Sequence, residues 1–258
     1  MKLNKRFFVH KKAKMKLFWH PKNPLWIFMI LIISILMVLT IPFIIYGYNF
    51  NSVAFDEDFY KKEFAKYNVY NNLINYNIEE INNDVLNYLK FEKNNELIKN
   101  NFFNEREKTH LLDVKDLIQT ILSIYYFSAI LFLILFILLI PLMNFNFKII
   151  AKRFLIILSI GSLLTLLDAV LFFILSNLNF NFVFDIFHKT FFNPGTFIFN
   201  PEFENIVVLY QLNLFFDFLV KIILNTILSS VIILFFAVVF IFIFLSQILI
   251  NFSKNYRR

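Results

Sequence analysis

Four stretches of this chain run long enough, and with few enough charges, to cross a bilayer, and no other feature constrains its fold as strongly. About 20 predominantly apolar residues are needed to span ~30 Å of hydrocarbon as a helix. Residues 25–46 meet that requirement without one charged side chain, and residues 117–140 do the same before Pro141. A third run, 154–175, follows Lys152 and Arg153, and a fourth, 214–252, is longer than a bilayer demands. The expected fold is an all-α polytopic membrane protein with four transmembrane helices. A composition of 59% hydrophobic and 20% aromatic residues excludes a water-soluble globule. With 258 residues, no room remains for a separate soluble catalytic domain of ordinary size.

The charges predict orientation. Lys and Arg in short flanking segments resist translocation. Residues 1–24 hold Lys2, Lys5, Arg6, Lys11, Lys12, Lys14, Lys16 and Lys22; residues 141–153 hold Lys148, Lys152 and Arg153; residues 253–258 hold Lys254, Arg257 and Arg258. None of these segments contains an acid. Segment 47–116 carries 9 basic and 13 acidic residues. Residues 1–24, 141–153 and 253–258 are therefore expected in the cytoplasm, and 47–116 and 176–213 outside it. The first span is too long for a signal-peptide core and is read as retained. The net charge of +7 is an orientation signal, so it implies no nucleic-acid partner.

The larger outward segment has apolar residues at helical spacing: Phe59, Phe64, Val69, Leu73, Ile78, Ile81, Val85, Tyr88 and Leu89. Its many Asn residues predict short, separate helices. The smaller one contains Asn193-Pro194-Gly195-Thr196, a turn signal.

The chain has no cysteine, which removes disulfides, thiolate nucleophiles and zinc–thiolate sites. Among its four histidines, His10 and His20 sit in the lysine-rich N-terminal segment, where anionic head groups suffice as neighbours. His110 and His188 fall one in each outward segment, each with a carboxylate at helical spacing: Asp113 three residues after the first, Asp185 three before the second. Such a pair can fix an imidazole tautomer and stabilise its protonated form. His188 lies among Phe184, Phe187, Phe191 and Phe192, where an imidazole requires a partner. Two unrelated packing histidines would give the same pattern.

Gln119, Thr120, Ser123, Tyr125, Tyr126 and Ser128 crowd one third of the second span, which suggests either a cavity or interfacial anchoring. Asp168 falls about 22 Å along the third span from Arg153 and is a functional candidate, unless it pairs with Lys221. Asp217 and Lys221 have i,i+4 spacing and read as a structural pair.

The segments Phe59-Tyr60-x-x-Glu63-Phe64-x-Lys66-Tyr67-Asn68-Val69-Tyr70, Phe103-Asn104-Glu105-Arg106-Glu107-x-x-His110-Leu111-x-Asp113-Val114-Lys115 and Phe184-Asp185-x-x-Phe187-His188-x-x-Phe191-Phe192-x-x-Gly195-Thr196-x-x-Phe199 resemble the lipoprotein intramolecular transacylase (Lit) family and its uncharacterised four-span relatives. The likeness covers nearly the whole chain. It implies an enzyme that moves an acyl chain from the sn-2 position of a diacylglyceryl lipoprotein, or another membrane lipid, to the amine of the N-terminal cysteine. His110 and His188 match the family's implicated catalytic pair. Asp113 and Asp185 would orient them, and Lys115, Arg106 or Asp168 would contact an oxyanion or head group. No cofactor or metal is expected. The chain departs from the family at Gln211, where Pro is usual, and at Phe197 and Phe216, where Trp is frequent. The competing readings are a non-enzymatic lipid-binding or scaffold membrane protein and a small transporter component. A transporter would want more charge lining its spans.

Overall fold

A computed structural model of the chain describes residues 24–91, 96–193 and 195–256, so the expected basic tail, with His10 and His20, lies outside the described residues up to position 23, as do Pro194, Arg257 and Arg258. Among the described residues every regular element is a helix: α1 (Pro24–Ala54), α2 (Glu57–Lys66), α3 (Val69–Asn72), α4 (Ile78–Phe91), α5 (Glu105–Leu142), α6 (Phe147–Leu178), α7 (Phe180–Phe191), α8 (Ile206–Leu209) and α9 (Leu212–Tyr256). Four of these are long and apolar enough to cross a membrane: α1, α5, α6 and the Leu212–Phe244 part of α9. No more than 28% of the most apolar stretch of each is buried within the protein, so their surface is made for lipid. The protein is a multi-pass membrane protein with four spans.

Two of the long helices begin outside the expected apolar runs. The first three turns of α5 carry Glu105, Arg106, Glu107, Lys108, Asp113, Lys115 and Asp116. So much charge is too costly in hydrocarbon, and this end projects from the membrane. Helix α6 begins at Phe147, within the segment expected as a loop, after a turn in which Asn144 and Phe145 adopt positive φ.

The chain divides into two compact units. The first comprises the described residues up to Pro42, Ser128–Leu163 and those from Ile232. Its interior is largely apolar, with Met37, Leu139 and Ile157 fully enclosed, and Ser162 is as deeply buried. Phe154 packs on Phe136 at 5.0 Å between ring centroids, and Trp26 Nε1 donates to the carbonyl of Leu142 at 2.7 Å.

The second unit, Phe43–Phe127 with Leu164–Val231, holds the short helices α2, α3, α4, α7 and α8. All nine periodic apolar positions from Phe59 to Leu89 are buried in its core, beside Leu111, Ile206, Leu209 and Leu214. The helices are short because Asn side chains and caps interrupt them. Asn68 adopts φ 56° between α2 and α3, a left-handed conformation that Asn tolerates better than most residues. Asp56 caps α2 by accepting from the Phe59 amide at 3.2 Å.

The structure overturns one expected pair and removes one alternative. Asp217 and Lys221 do not bond each other: Asp217 accepts from Lys66 and Tyr67, while Lys221 reaches Asp56 at 2.8 Å. Nor does Asp168 pair with Lys221; it accepts from the Tyr46 hydroxyl at 3.0 Å. Helical spacing made the Asp217–Lys221 pair possible, but Lys66 at the end of α2 and Asp56 at its cap present closer partners of opposite charge.

Candidate functional site

Helix α5 starts with a reciprocal cap. The Asn104 side chain accepts from the Glu107 amide at 3.0 Å, and the Glu107 carboxylate accepts from the Asn104 amide at 2.6 Å. The other Glu107 oxygen accepts from the Ile206 amide at 2.6 Å, and Asn205 Nδ2 donates to the Phe102 carbonyl. The N-terminus of α5 is thus bolted to α8. One turn further along α5 stands His110.

The second histidine arrives on α7. Asn179 caps this helix, accepting from the Phe182 amide at 3.1 Å, and His188 lies in its last turn. The imidazoles of His110 and His188 come to 6.4 Å between centroids, with planes 22° apart. Both are buried.

The surroundings are aromatic. Phe192 packs against both rings, at 4.9 Å from His110 and 5.3 Å from His188. Phe199 covers His110 at 5.3 Å, and Phe184 and Phe197 flank His188 at 4.0 and 5.3 Å. Burial pushes the His110 imidazole down to about 4, and the charges of His188 and Arg106 act in the same direction. His188 is also lowered by burial, which outweighs the Phe184 carbonyl and the Asp185 carboxylate.

The expected orienting carboxylates are not on the histidines. His188 Nδ1 meets the Phe184 carbonyl at 2.8 Å, and Asp185 instead accepts from Lys189 at 2.7 Å. His110 Nδ1 is buried without a hydrogen-bond partner, so Asp113 does not hold it. Asp113 stands one turn before Asp116 on the α5 wall of a recess of about 230 Å³, lined also by Leu117, Thr120, Phe191, Phe192 and Asn193. Burial, with the Asp116 charge second, raises the Asp113 carboxyl. Among the described residues no group of three or more His, Asp or Glu side chains converges as metal ligands.

The basic candidates are engaged elsewhere. Lys115 is buried with its ammonium 4.2 Å from the Tyr88 ring centroid. Arg106 Nη1 donates to Glu204 at 2.8 Å, its Nη2 donates to the carbonyls of Gly195 (3.1 Å) and Ile198, and its guanidinium stacks on Phe199 at 4.9 Å. Arg106 therefore fixes the loop that carries Phe197 and Phe199 over the histidines. Within that loop Thr196 N donates to the Asn193 carbonyl at 3.2 Å, and Gly195 adopts φ 88°, the positive value the turn signal implied.

Glu107 and Glu204 escaped the sequence reading. Asn-x-x-Glu before an apolar run is a capping-box signature and marks Glu107. Nothing local marks Glu204. The polar third of α5 does line an open depression of about 530 Å³, through Gln119, Thr120 and Ser123 with Asp116, Ile124 and Phe127, but neither histidine borders it.

Four membrane spans and a buried pair of imidazoles 6.4 Å apart define a multi-pass membrane protein that brings two histidines of separate helices together. Over residues 35–216 the chain matches the family described as lipoprotein intramolecular transacylase Lit, and it belongs to that family. Its fold is similar to the in meso structure of the membrane integral lipoprotein intramolecular transacylase Lit from Bacillus cereus, with TM-score 0.67 at 20% identity over 88% of this chain and 98% of that one. A form of the same Bacillus cereus protein with one histidine replaced by alanine is also similar, with TM-score 0.65 at 20% identity over 81% of this chain and 92% of that one. No curated protein matches the chain.

Proposed function

We propose that the protein is a lipoprotein intramolecular transacylase in which His110 and His188 carry the proton chemistry. Family membership supports the reaction class, and the 6.4 Å approach of the two imidazoles is the observation that carries the site. The substrate is a diacylglyceryl lipoprotein. Its α-amine attacks the carbonyl of the sn-2 ester, the amide C–N bond forms, and the ester C–O bond breaks to leave the glycerol hydroxyl. Amine and ester belong to one molecule, so no protein nucleophile is required and the effective concentration is high.

The hydrogen-bond geometry favours a division of labour. A carbonyl only accepts, so His188 Nδ1 donates to Phe184 and the neutral ring presents Nε2 as a proton acceptor. In this reading His188 takes the proton released by the attacking amine and returns it to the departing glycerol oxygen. His110, kept neutral by its burial, donates a hydrogen bond to the ester oxygen as charge develops there. Asp185 acts on His188 only through its field, and Asp113 lines the recess beyond Phe192. Arg106 orders the loop above the pair; Lys115 and Asp168 have structural partners and no part in the chemistry.

The basic segments 1–24, 141–153 and 253–258 support cytoplasmic termini in the cell membrane and a site at the outer leaflet. The test is expression in a host with diacylated lipoproteins, with lipoprotein N-termini read by mass spectrometry. Wild type is expected to yield the lyso-form, and His110→Ala or His188→Ala to lower it at least 100-fold. No product from wild type rejects the substrate; undiminished product from either variant rejects that histidine's role.

A further inference from the structure

Helix α7 has 12 residues, about 18 Å, too short to cross a bilayer. Asn181, Asp185 and Lys189 recur every fourth residue and make one polar strip along it, closed by the Lys189–Asp185 bond at 2.7 Å. Phe184 and His188 form the strip turned toward the protein. Most of the remaining circumference, opposite the polar strip, is apolar and uncovered: Ile186 is 47% exposed, Phe187 38% and Phe191 54%, and the Thr190 hydroxyl between them donates to the Ile186 carbonyl. Side chains of this size, contiguous on one short helix, are not left in water by a monomeric protein without reason.

What covers them follows from where the helix begins. Span α6 ends at Leu178, and after Asn179 the chain enters α7 at once, the Asn179 side chain accepting from the Phe182 amide. Leu171, Ile174, Leu175 and Leu178 on the last turns of α6 are exposed, as a lipid-facing span requires. Helix α7, which carries the uncovered face, therefore begins within two residues of the end of a lipid-facing span.

We propose that α7 lies in the membrane plane as an interfacial helix, with Ile186, Phe187 and Phe191 among the acyl chains and Asn181, Asp185 and Lys189 toward water. Helices of this kind sit about 5–10 Å into the boundary between head groups and acyl chains. That is the depth of glycerolipid ester linkages, so α7 sets His188, and with it His110, level with the bond to be broken and the substrate need not leave the leaflet. The placement of the helix stands independently of the proposed reaction; its use of the ester depth rests on that reading.

The cysteine-free chain allows a direct test. Nitroxide labels at Ile186→Cys, Phe191→Cys and Asp185→Cys, in protein reconstituted into phosphatidylcholine–phosphatidylglycerol vesicles, report collisions with oxygen and with a water-soluble nickel chelate. The expected result is an oxygen-to-nickel ratio at 186 and 191 at least fivefold that at 185, close to the ratio at the lipid-exposed reference Phe235→Cys in α9. Nickel access at 186 and 191 equal to that at 185 overturns the proposal, as does protection of both from oxygen and nickel alike. None of these readouts requires turnover, so an inactive protein would leave the placement of α7 intact.

Discussion

Arg106 and Glu204 are 98 residues apart and meet at 2.8 Å, joining the first turn of α5 to the loop that roofs the histidines. Glu204 is only 7% exposed and also accepts from the Asn200 amide, whereas Arg106 is 48% exposed. Breaking a fully buried pair costs ~3–5 kcal/mol, so Arg106→Ala, half-exposed, is expected to cost ~1–3 kcal/mol. Transacylation should fall further than stability, at least tenfold at a temperature where the variant is folded, because Phe197 and Phe199 lose their anchor. Arg106→Lys should recover little, since one ammonium cannot replace the forked contacts to two carbonyls and a carboxylate. Thermal unfolding in detergent beside lyso-lipoprotein yield checks both effects.

Acid should act on the protein through the histidines. His110, at about 4, and His188, also lowered, stay neutral in the folded protein at pH values where the unfolded chain, near 6.5, takes up protons. Their stabilising contribution is therefore complete above about pH 6.5 and is lost as pH falls from there through the folded-state value. The acid limb of the rate profile is expected below pH 6.5, and Arg106→Gln should move it upward by removing a nearby positive charge. A profile of lyso-form production against pH, with thermal unfolding at pH 7.5 and 5.0, measures both. An acid limb above pH 7 would contradict the burial argument.

Gly47 in α1 predicts an inverted sign. In most helices Gly→Ala stabilises by about 0.5–1 kcal/mol. A Cβ at position 47 would lie 2.5 Å from Tyr125 Cβ and 2.7 Å from its ring, atoms close to the backbone that cannot swing aside. Gly47→Ala is thus expected to destabilise by ~1–3 kcal/mol, the usual cost of overpacking. An unfolding temperature at or above wild type would show that α1 and α5 are not this close.

The exchanged ion pairs make a prediction about coupling. A double-mutant cycle on Asp56 and Lys221 should give ~0.5–1 kcal/mol, modest because each side chain is about one-third exposed. A cycle on Asp217 and Lys221 should give a value near zero, although their spacing is ideal for an i,i+4 bridge. Unfolding free energies of the single and double alanine variants supply both cycles.

Much of the fold was legible because its signals are local. The apolar runs marked the spans, and the nine periodic positions from Phe59 to Leu89 all reached the core. The histidine pair was legible as two residues, through their position beside spans and their family motifs. Its surroundings were not. Asp185 had the spacing to orient His188, but it stands on the polar strip of α7 while His188 turns inward, so the imidazole bonds the Phe184 carbonyl and the carboxylate bonds Lys189.

By itself, then, the sequence determined which segments span the membrane, which helices are short, and that two histidines stand near span ends, because transfer free energy and backbone capping act within a few residues of chain. Only the tertiary structure decided that those histidines stack 6.4 Å apart under Phe192, Phe197 and Phe199, that Arg106 clamps a loop, and that Asp217 prefers Lys66 to Lys221. These contacts join segments remote in sequence. Their partners are chosen by the packing of α2, α5, α7 and α8, which no spacing along one helix encodes.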